Sequence, residues 1–212
     1  MNIANLLVNE QSSIRILASS KLYIDPFNLP EETHDADMVF VTHEHYDHFS
    51  FKDIDKAANE KTIYAVPKPM TKILLKHEIP EDRIYPLVPG QSALIAGLPI
   101  QAVAAYNLNK PFHPKSNGWL GYVITIDGSR VYICGDTDDT PEARAVKCDI
   151  VCVPVGGTYT MDAKEAANFV NIIKPRIAVP VHYGSVVGKP ADADIFERNV
   201  YKNIPVCRKL FF

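Results

Sequence analysis

The seven residues Thr42-His43-Glu44-His45-Tyr46-Asp47-His48 constrain this chain more than any other feature of it. They follow directly on Met38-Val39-Phe40-Val41, a continuous apolar run of the kind buried on both faces of a sheet. Just beyond them Ser50 caps a helix, with Asp53 as the acidic partner of a capping box. The histidines therefore sit on a short turn at the C-terminal end of a buried strand. Three imidazoles and two carboxylates in six positions repel when the histidines are protonated and gain little when they are neutral and unpaired. A divalent cation resolves the conflict, because imidazole nitrogen and carboxylate oxygen suit zinc, manganese or iron. The bland alternative is a solvated loop that is histidine-rich by chance.

One turn cannot surround a metal, so other ligands are expected from elsewhere. Asp136, in Cys134-Gly135-Asp136-Thr137, follows directly on a β-rich run, and so does His182, in Pro180-Val181-His182-Tyr183-Gly184. Strand ends that deliver ligands to one rim are the expected geometry of an α/β active site.

The rest of the chain alternates short strands with short helices. Strands are expected at 14–17, 21–24, 38–41, 62–66, 84–88, 92–96, 100–105, 120–126, 130–134, 150–153, 177–179 and 206–210. Helices are expected from 51, across 70–76, from 141 behind Thr140 and Pro141, from 163 to 173 behind an Asp162/Glu165 capping box, and at 194–199. Asp127-Gly128 reads as a hairpin turn. Residues 106–118 carry no apolar period and form a long loop, where sites tend to lie. No linker or low-complexity stretch interrupts the pattern, so a single α/β domain over 1–212 with much antiparallel pairing is expected.

Composition narrows the function classes. Lys and Arg number 22 against 25 Asp and Glu, a formal charge of −3, which argues against a surface that holds nucleic acid by neutralising phosphates. No apolar stretch reaches the roughly 18 residues that span a membrane. Met1-Asn2-Ile3-Ala4-Asn5 lacks the basic start of a secretory signal. Cys134, Cys148, Cys152 and Cys207 are irregularly spaced in mostly apolar runs and read as buried free thiols, which points to the cytoplasm.

On these residues the sequence resembles the metallo-β-lactamase fold superfamily. His43-Glu44-His45-Tyr46-Asp47-His48 matches its H-x-H-x-D-H motif, Asp136 its bridging aspartate and His182 its last histidine. Asp25-Pro26, after the second strand, looks like its first, supporting aspartate. The resemblance covers essentially the whole chain in the expected order. The segments 155–161 and 180–184 further resemble a branch of predicted metal-dependent hydrolases related to L-ascorbate-6-phosphate lactonase.

The resemblance implies a four-layer αββα sandwich, α/β in the broad sense and α+β in the strict one. It also implies two divalent ions, zinc first, with manganese or iron as alternatives. His43 and His45 would hold the first ion, Asp47, His48 and His182 the second, and Asp136 would bridge both. The first ion needs a third imidazole, and here the chain departs from the common pattern: Tyr106-Asn107 stands where many relatives place histidine. His113, in Pro111-Phe112-His113-Pro114-Lys115, is the expected ligand, with Asn107 as an alternative oxygen ligand or substrate contact.

A bridged cation pair lowers the pKa of its water towards neutrality, and the hydroxide attacks a carbonyl or phosphorus while Asp47 steers or accepts its proton. Lys115 and Tyr159 are candidate substrate contacts. Gly156-Gly157, ahead of Asp162, could receive an anion or simply make a tight turn. His34 and His77 read as structural, His77 at a helix end that favours a cation. The favoured function is hydrolysis of a lactone or phosphoester bond in a small polar metabolite, phosphorylated or not. A phosphodiesterase or nuclease of the same fold would need a basic stripe, and none is visible. A non-hydrolytic di-iron or metal-binding protein is the third reading, resting on Glu44. The expected partner is a small molecule, without membrane or nucleic acid, and the oligomeric state stays open.

Overall fold

Alternation within the first strands decides which way their side chains face. In the computed structural model, which describes residues 1–211, β1 (Leu6–Val8), β2 (Ile14–Leu17) and β3 (Lys21–Ile24) run antiparallel. β4 (Met38–Phe40), β5 (Ile63–Pro67) and β6 (Ile84–Leu87) then add in parallel, completing a six-stranded sheet in sequence order. Ile14, Ile16, Leu22, Ile24, Met38 and Phe40 enter one core, while Tyr23, Val39, Val41, Tyr64 and Val66 enter another on the opposite face. The run at 38–41 is continuously apolar because both of its faces are covered.

The second sheet repeats this plan in reverse. β7 (Ser92–Ile95), β8 (Leu98–Ala104), β9 (Leu120–Ile126) and β10 (Ser129–Ile133) pair antiparallel, and β11 (Ile150–Pro154) and β12 (Ile177–Val181) add in parallel. The inner faces of the two sheets share one core, in which Phe40 meets Tyr122 edge to face at 5.3 Å. The buried Tyr122 hydroxyl donates to the Val41 carbonyl at 2.6 Å, tying the sheets together directly beneath the histidine turn. Leu120 N–H donates to the Thr42 carbonyl at 3.0 Å and adds a second tie there.

Helices cover the outer faces. α1 (Phe51–Ala57) and α2 (Thr71–Lys76) lay Ile54, Ala57 and Leu74 on the outer face of the first sheet. Ser50 caps α1, and Asp53 turns to accept from the Leu29 N–H at 2.9 Å. α3 (Pro141–Arg144) starts at the Thr140 cap. α4 (Ala163–Ile173) starts at the Asp162/Glu165 capping box and packs on β11, with α5 (Asp192–Asn199) beside it. The layers are helices, sheet, sheet, helices, as the resemblance implies.

The expected strand at 206–210 does not form. Val206 makes a single bridge to Ala178, because Pro205 has no N–H to donate and Arg208 turns aside to pair with Asp194 and Glu197 of α5. β1 is an element that periodicity misses, since three residues are too few to show a period. Among the described residues no helix is long and apolar enough to cross a membrane.

Candidate metal centre

The parallel strands of both sheets end at one rim. β3 leads into Asp25, β4 into the turn 42–48, β10 into Asp136 and β12 into His182. Seven side chains gather there from distant parts of the chain. His43, His45 and His113 form one group whose candidate ligand atoms all lie within 4.8 Å of one another. Asp47, His48 and His182 form a second, and Asp136 joins His43 and His48 in a third.

Asp136 is the centre of the arrangement. One carboxylate oxygen lies 3.3 Å from His182 Nε2, 3.4 Å from His113 Nε2 and 4.0 Å from His43 Nε2, and the other lies 3.3 Å from His48 Nε2. Asp47 lies 3.4 Å from His182 Nε2 and 3.6 Å from His48 Nε2. Against the cost of burial, His182 and His48 hold the Asp136 carboxyl well below the usual carboxylate range. Asp47 is lowered too, burial again opposing and His182 prevailing.

The donor set fits a divalent cation. His48 Nε2, His113 Nε2, His182 Nε2 and Asp136 Oδ1 are buried and have no hydrogen-bond partner, yet all point into one space. Unpaired buried polar atoms are costly, and four converging ones call for a ligand. Nitrogen–metal distances near 2.0–2.1 Å in a tetrahedral site put neighbouring ligand atoms about 3.3 Å apart, the spacing found around Asp136. His43 Nε2 and His45 Nδ1 lie 3.1 Å apart, too close for both to carry protons comfortably. Burial, then the His48 charge, lowers His43 well below its ordinary value and leaves its lone pair free.

Behind these atoms stands a set of supports. Asp25, fully buried, accepts from Thr42 N–H and Thr42 Oγ1 at 2.7 Å each, and lies 2.8 Å from His48 Nδ1. This aspartate was legible as a supporting residue. His113 is held by Asn107, whose side-chain oxygen lies 3.0 Å from His113 N and 3.1 Å from His113 Nδ1. The Asn107 side-chain nitrogen meanwhile donates to Asp138 at 3.2 Å and to the Tyr159 carbonyl at 2.8 Å. Asp138 also accepts from Leu108 N–H and from Lys110, which secures the loop.

Three supports carry no signal in the sequence. Trp119 lies under the first group, its ring centroid 5.0, 4.9 and 5.3 Å from those of His43, His45 and His113. Asp138 is one. Gln11 is another: its carbonyl accepts from His182 N–H at 3.0 Å, helping to fix His182 at φ +58°. A non-glycine residue in that region persists only where its surroundings over-determine it. Gly156 is required beside it, since a Cβ there would stand 2.3 Å from the His182 carbonyl oxygen.

The structure brings together His43, His45, Asp47, His48, His113, Asp136 and His182, and corrects several other expectations. Asn107 does not present an oxygen to the ligand cluster, because that oxygen faces His113. Lys115 does not line the cleft; its ammonium is 2.6 Å from Glu142 and rests over the Tyr106 ring. The Gly157 N–H donates to the Met161 carbonyl at 3.1 Å, so the glycine pair makes a tight turn. Glu44 is exposed and belongs to none of the three groups. His34 sits 3.0 Å from the Ala58 carbonyl and His77 stacks on Phe51 at 3.6 Å, both far from metal chemistry in role.

The cluster opens into a cleft of about 380 Å³. His45, Asp47, Asp136 and His182 form its floor, and Tyr46, Phe112, Tyr159, Val186 and Val187 its walls. Tyr159 is thus where a substrate contact was expected.

Comparison with known proteins shows the family and the fold. The family profile described as a beta-lactamase superfamily domain matches residues 5–183. A UPF0173 protein of Pyrococcus furiosus is 32% identical over 191 residues, covering 86% of this chain and 83% of its own length. A UPF0173 metal-dependent hydrolase of Aeropyrum pernix is 30% identical over 194 residues, covering 81% of this chain and 75% of its own. A crystal structure from Parabacteroides distasonis matches with a TM-score of 0.80 at 28% identity, covering 97% of this chain and 93% of that one.

Proposed function

The chain belongs to the beta-lactamase superfamily domain family, and from that membership and the His/Asp cluster we propose a hydrolase that works with two divalent cations on an ester-type bond, a lactone or a phosphoester, of a small molecule. It is a metal-dependent hydrolase in the coarse sense. The single observation that supports the two-cation reading is the convergence of unpaired, buried imidazole nitrogens on the two oxygens of Asp136.

In this reading His43, His45 and His113 would hold one cation, Asp47, His48 and His182 the other, and Asp136 both. Five imidazoles with two carboxylates suit zinc first, with manganese or iron as alternatives. Bound there, such cations supply an acidified water and positive charge against a developing oxyanion. The chain supplies orientation and proton handling. Asp25 and Asn107 each engage the Nδ1 of a histidine, so that His48 and His113 present Nε2 inward. Asp47 lines the cleft as a carboxylate whose affinity for protons is lowered, so it stays ionised and orients the attacking water by accepting a hydrogen bond from it.

The test has two parts. Protein purified without chelator is analysed for metals, then assayed against sugar lactones and 4-nitrophenyl phosphodiesters. Close to two equivalents of transition metal and turnover of one substrate class are expected. Less than about half an equivalent would remove the ligand assignment. Turnover of phosphodiesters alone would replace the lactone reading with a phosphodiesterase.

A further inference from the structure

The cleft has a polar floor and apolar walls, and the walls say what flanks the reacting bond. Tyr46, Phe112, Tyr159 and Val186 are 66%, 41%, 36% and 40% exposed, and they come from four separate segments of the chain. Large apolar side chains left facing solvent around one opening mark a binding surface. These rings are also braced. Phe112 meets Tyr159 edge to face at 4.7 Å, and Tyr46 meets Phe27 at 6.1 Å. Bracing by neighbours keeps the walls from collapsing across the floor. The walls share the framework of the ligands, since Phe112 precedes His113 and the Tyr159 carbonyl accepts from Asn107.

Charge is distributed just as unevenly. Among the described residues no Lys or Arg lines the cleft. The two basic side chains of the loop that carries Phe112 are engaged elsewhere, Lys110 by Asp138 and the Thr160 carbonyl, Lys115 by Glu142. An anionic group remote from the reacting bond would lie against aromatic and valine side chains with no counter-ion. Burying an unpaired charge is strongly unfavourable, whereas an uncharged ring or branched chain gains by leaving water.

We infer that this cleft, if the hydrolytic reading above holds, takes an uncharged acyl ester or lactone whose carbonyl lies over the His/Asp floor and whose aromatic or branched apolar part lies between Tyr46, Phe112, Tyr159 and Val186. Water is the co-reactant. Its oxygen bonds to the carbonyl carbon, the acyl C–O bond breaks, and the alcohol oxygen leaves with a proton, without change of oxidation state. The phosphorylated metabolite considered from the sequence has no cationic partner for its phosphate on these walls.

The experiment compares dihydrocoumarin, a neutral aryl lactone, with glucono-δ-lactone, a neutral polyol lactone, on zinc-loaded protein. It also measures binding of 2-acetonaphthone, a neutral aryl ketone that is not hydrolysed. A kcat/KM preference of about tenfold or more for dihydrocoumarin is expected, the size of effect a hydrophobic pocket delivers. Phe112→Ala and, separately, Tyr159→Ala should cut that preference and ketone affinity by about fivefold. Phe112→Leu, which keeps an apolar group, should restore part of both. Equal or reversed lactone preference overturns the inference, and so does ketone binding that ignores both alanine variants. The hydrolytic reading fails differently: wild-type protein would bind the ketone through Phe112 and Tyr159 yet hydrolyse no ester of any class.

Discussion

The side-chain oxygen of Asn107 accepts two hydrogen bonds from His113, one from its backbone N–H at 3.0 Å and one from Nδ1 at 3.1 Å. The amide cannot be turned round, because its nitrogen faces two acceptors, the Asp138 carboxylate and the Tyr159 carbonyl. His113 must therefore carry its proton on Nδ1 and present a bare Nε2 to Asp136, 3.4 Å away. Replacing Asn107 by Ala frees both the ring and the tautomer. Metal affinity at the first group should fall by about 10–100-fold, the usual cost of losing a ligand's outer partner. Competition against a chromophoric chelator measures it, and unchanged affinity would show that Asn107 has no such role.

Metal uptake should release a proton from His48. Burial alone would lower this imidazole, but Asp136, Asp25 and Asp47 prevail and raise it to about 9. Below that pH the metal-free ring carries a second proton, which a cation must displace. Apparent affinity should therefore rise with pH from neutrality to about 9 and then level. Linkage gives the opposite trend for the metal-free protein. The raised His48 contributes stability fully below its unfolded value, and that contribution is lost as pH rises through about 9. Calorimetry of zinc binding in two buffers of different ionisation enthalpy reads the proton directly; identical heats would contradict it.

Trp119 offers an optical report on the first group. It is the single tryptophan of the chain, and its ring lies within 5.3 Å, centroid to centroid, of His43, His45 and His113. Cobalt(II) bound there should quench its fluorescence saturably. His45→Ala should abolish that response, while a substitution at the distant His77 should leave it intact. Quenching that persists in His45→Ala would place the bound metal elsewhere.

Gly156→Ala tests the packing that holds His182. Its Cβ would meet the His182 carbonyl oxygen at 2.3 Å and Val187 at 3.0 Å, so backbone has to move. Overpacking of this kind costs about 1–3 kcal/mol. A lowered melting temperature and less than the wild-type metal content are expected together. Wild-type values for both would mean that the turn accommodates a methyl group freely.

The thiols should be inert in the native protein. Burial pushes Cys134 and Cys152 far above the ordinary thiol range and Cys148 up to about 12. A thiol with a pKa of about 12 is a thiolate to only about one part in ten thousand at pH 8. Ellman's reagent at that pH should label Cys134, Cys148 and Cys152 slowly, and all four free cysteines promptly once the chain is unfolded. Fast reaction of three thiols in the native state would contradict this burial.

Much of the site was legible because its signals are local. His43, His45, Asp47 and His48 are neighbours in the chain, and a buried apolar run in front of them announces a strand end. The same reasoning found Asp136 and His182, each at the end of a buried parallel strand. Capping residues at 50, 140 and 162 stand where expected because a cap needs only the three or four residues that follow it. The tail at 206–210 misled because its periodicity was outweighed by Arg208 pairing with α5.

What remained hidden depends on partners far away in the chain. Asn107 was the alternative to His113, as an oxygen ligand or a substrate contact, and only Asp138 and Tyr159, 31 and 52 residues on, turn its oxygen towards His113. Lys115 looked like a substrate contact until Glu142, 27 residues on, drew it aside. By itself the sequence determined the candidate ligand types, their order and the strand ends that carry them, because apolar periodicity and caps act over a few residues. Tertiary structure alone decided which way the loop side chains point, since a flexible polar group is oriented by whichever donor or acceptor the fold brings beside it.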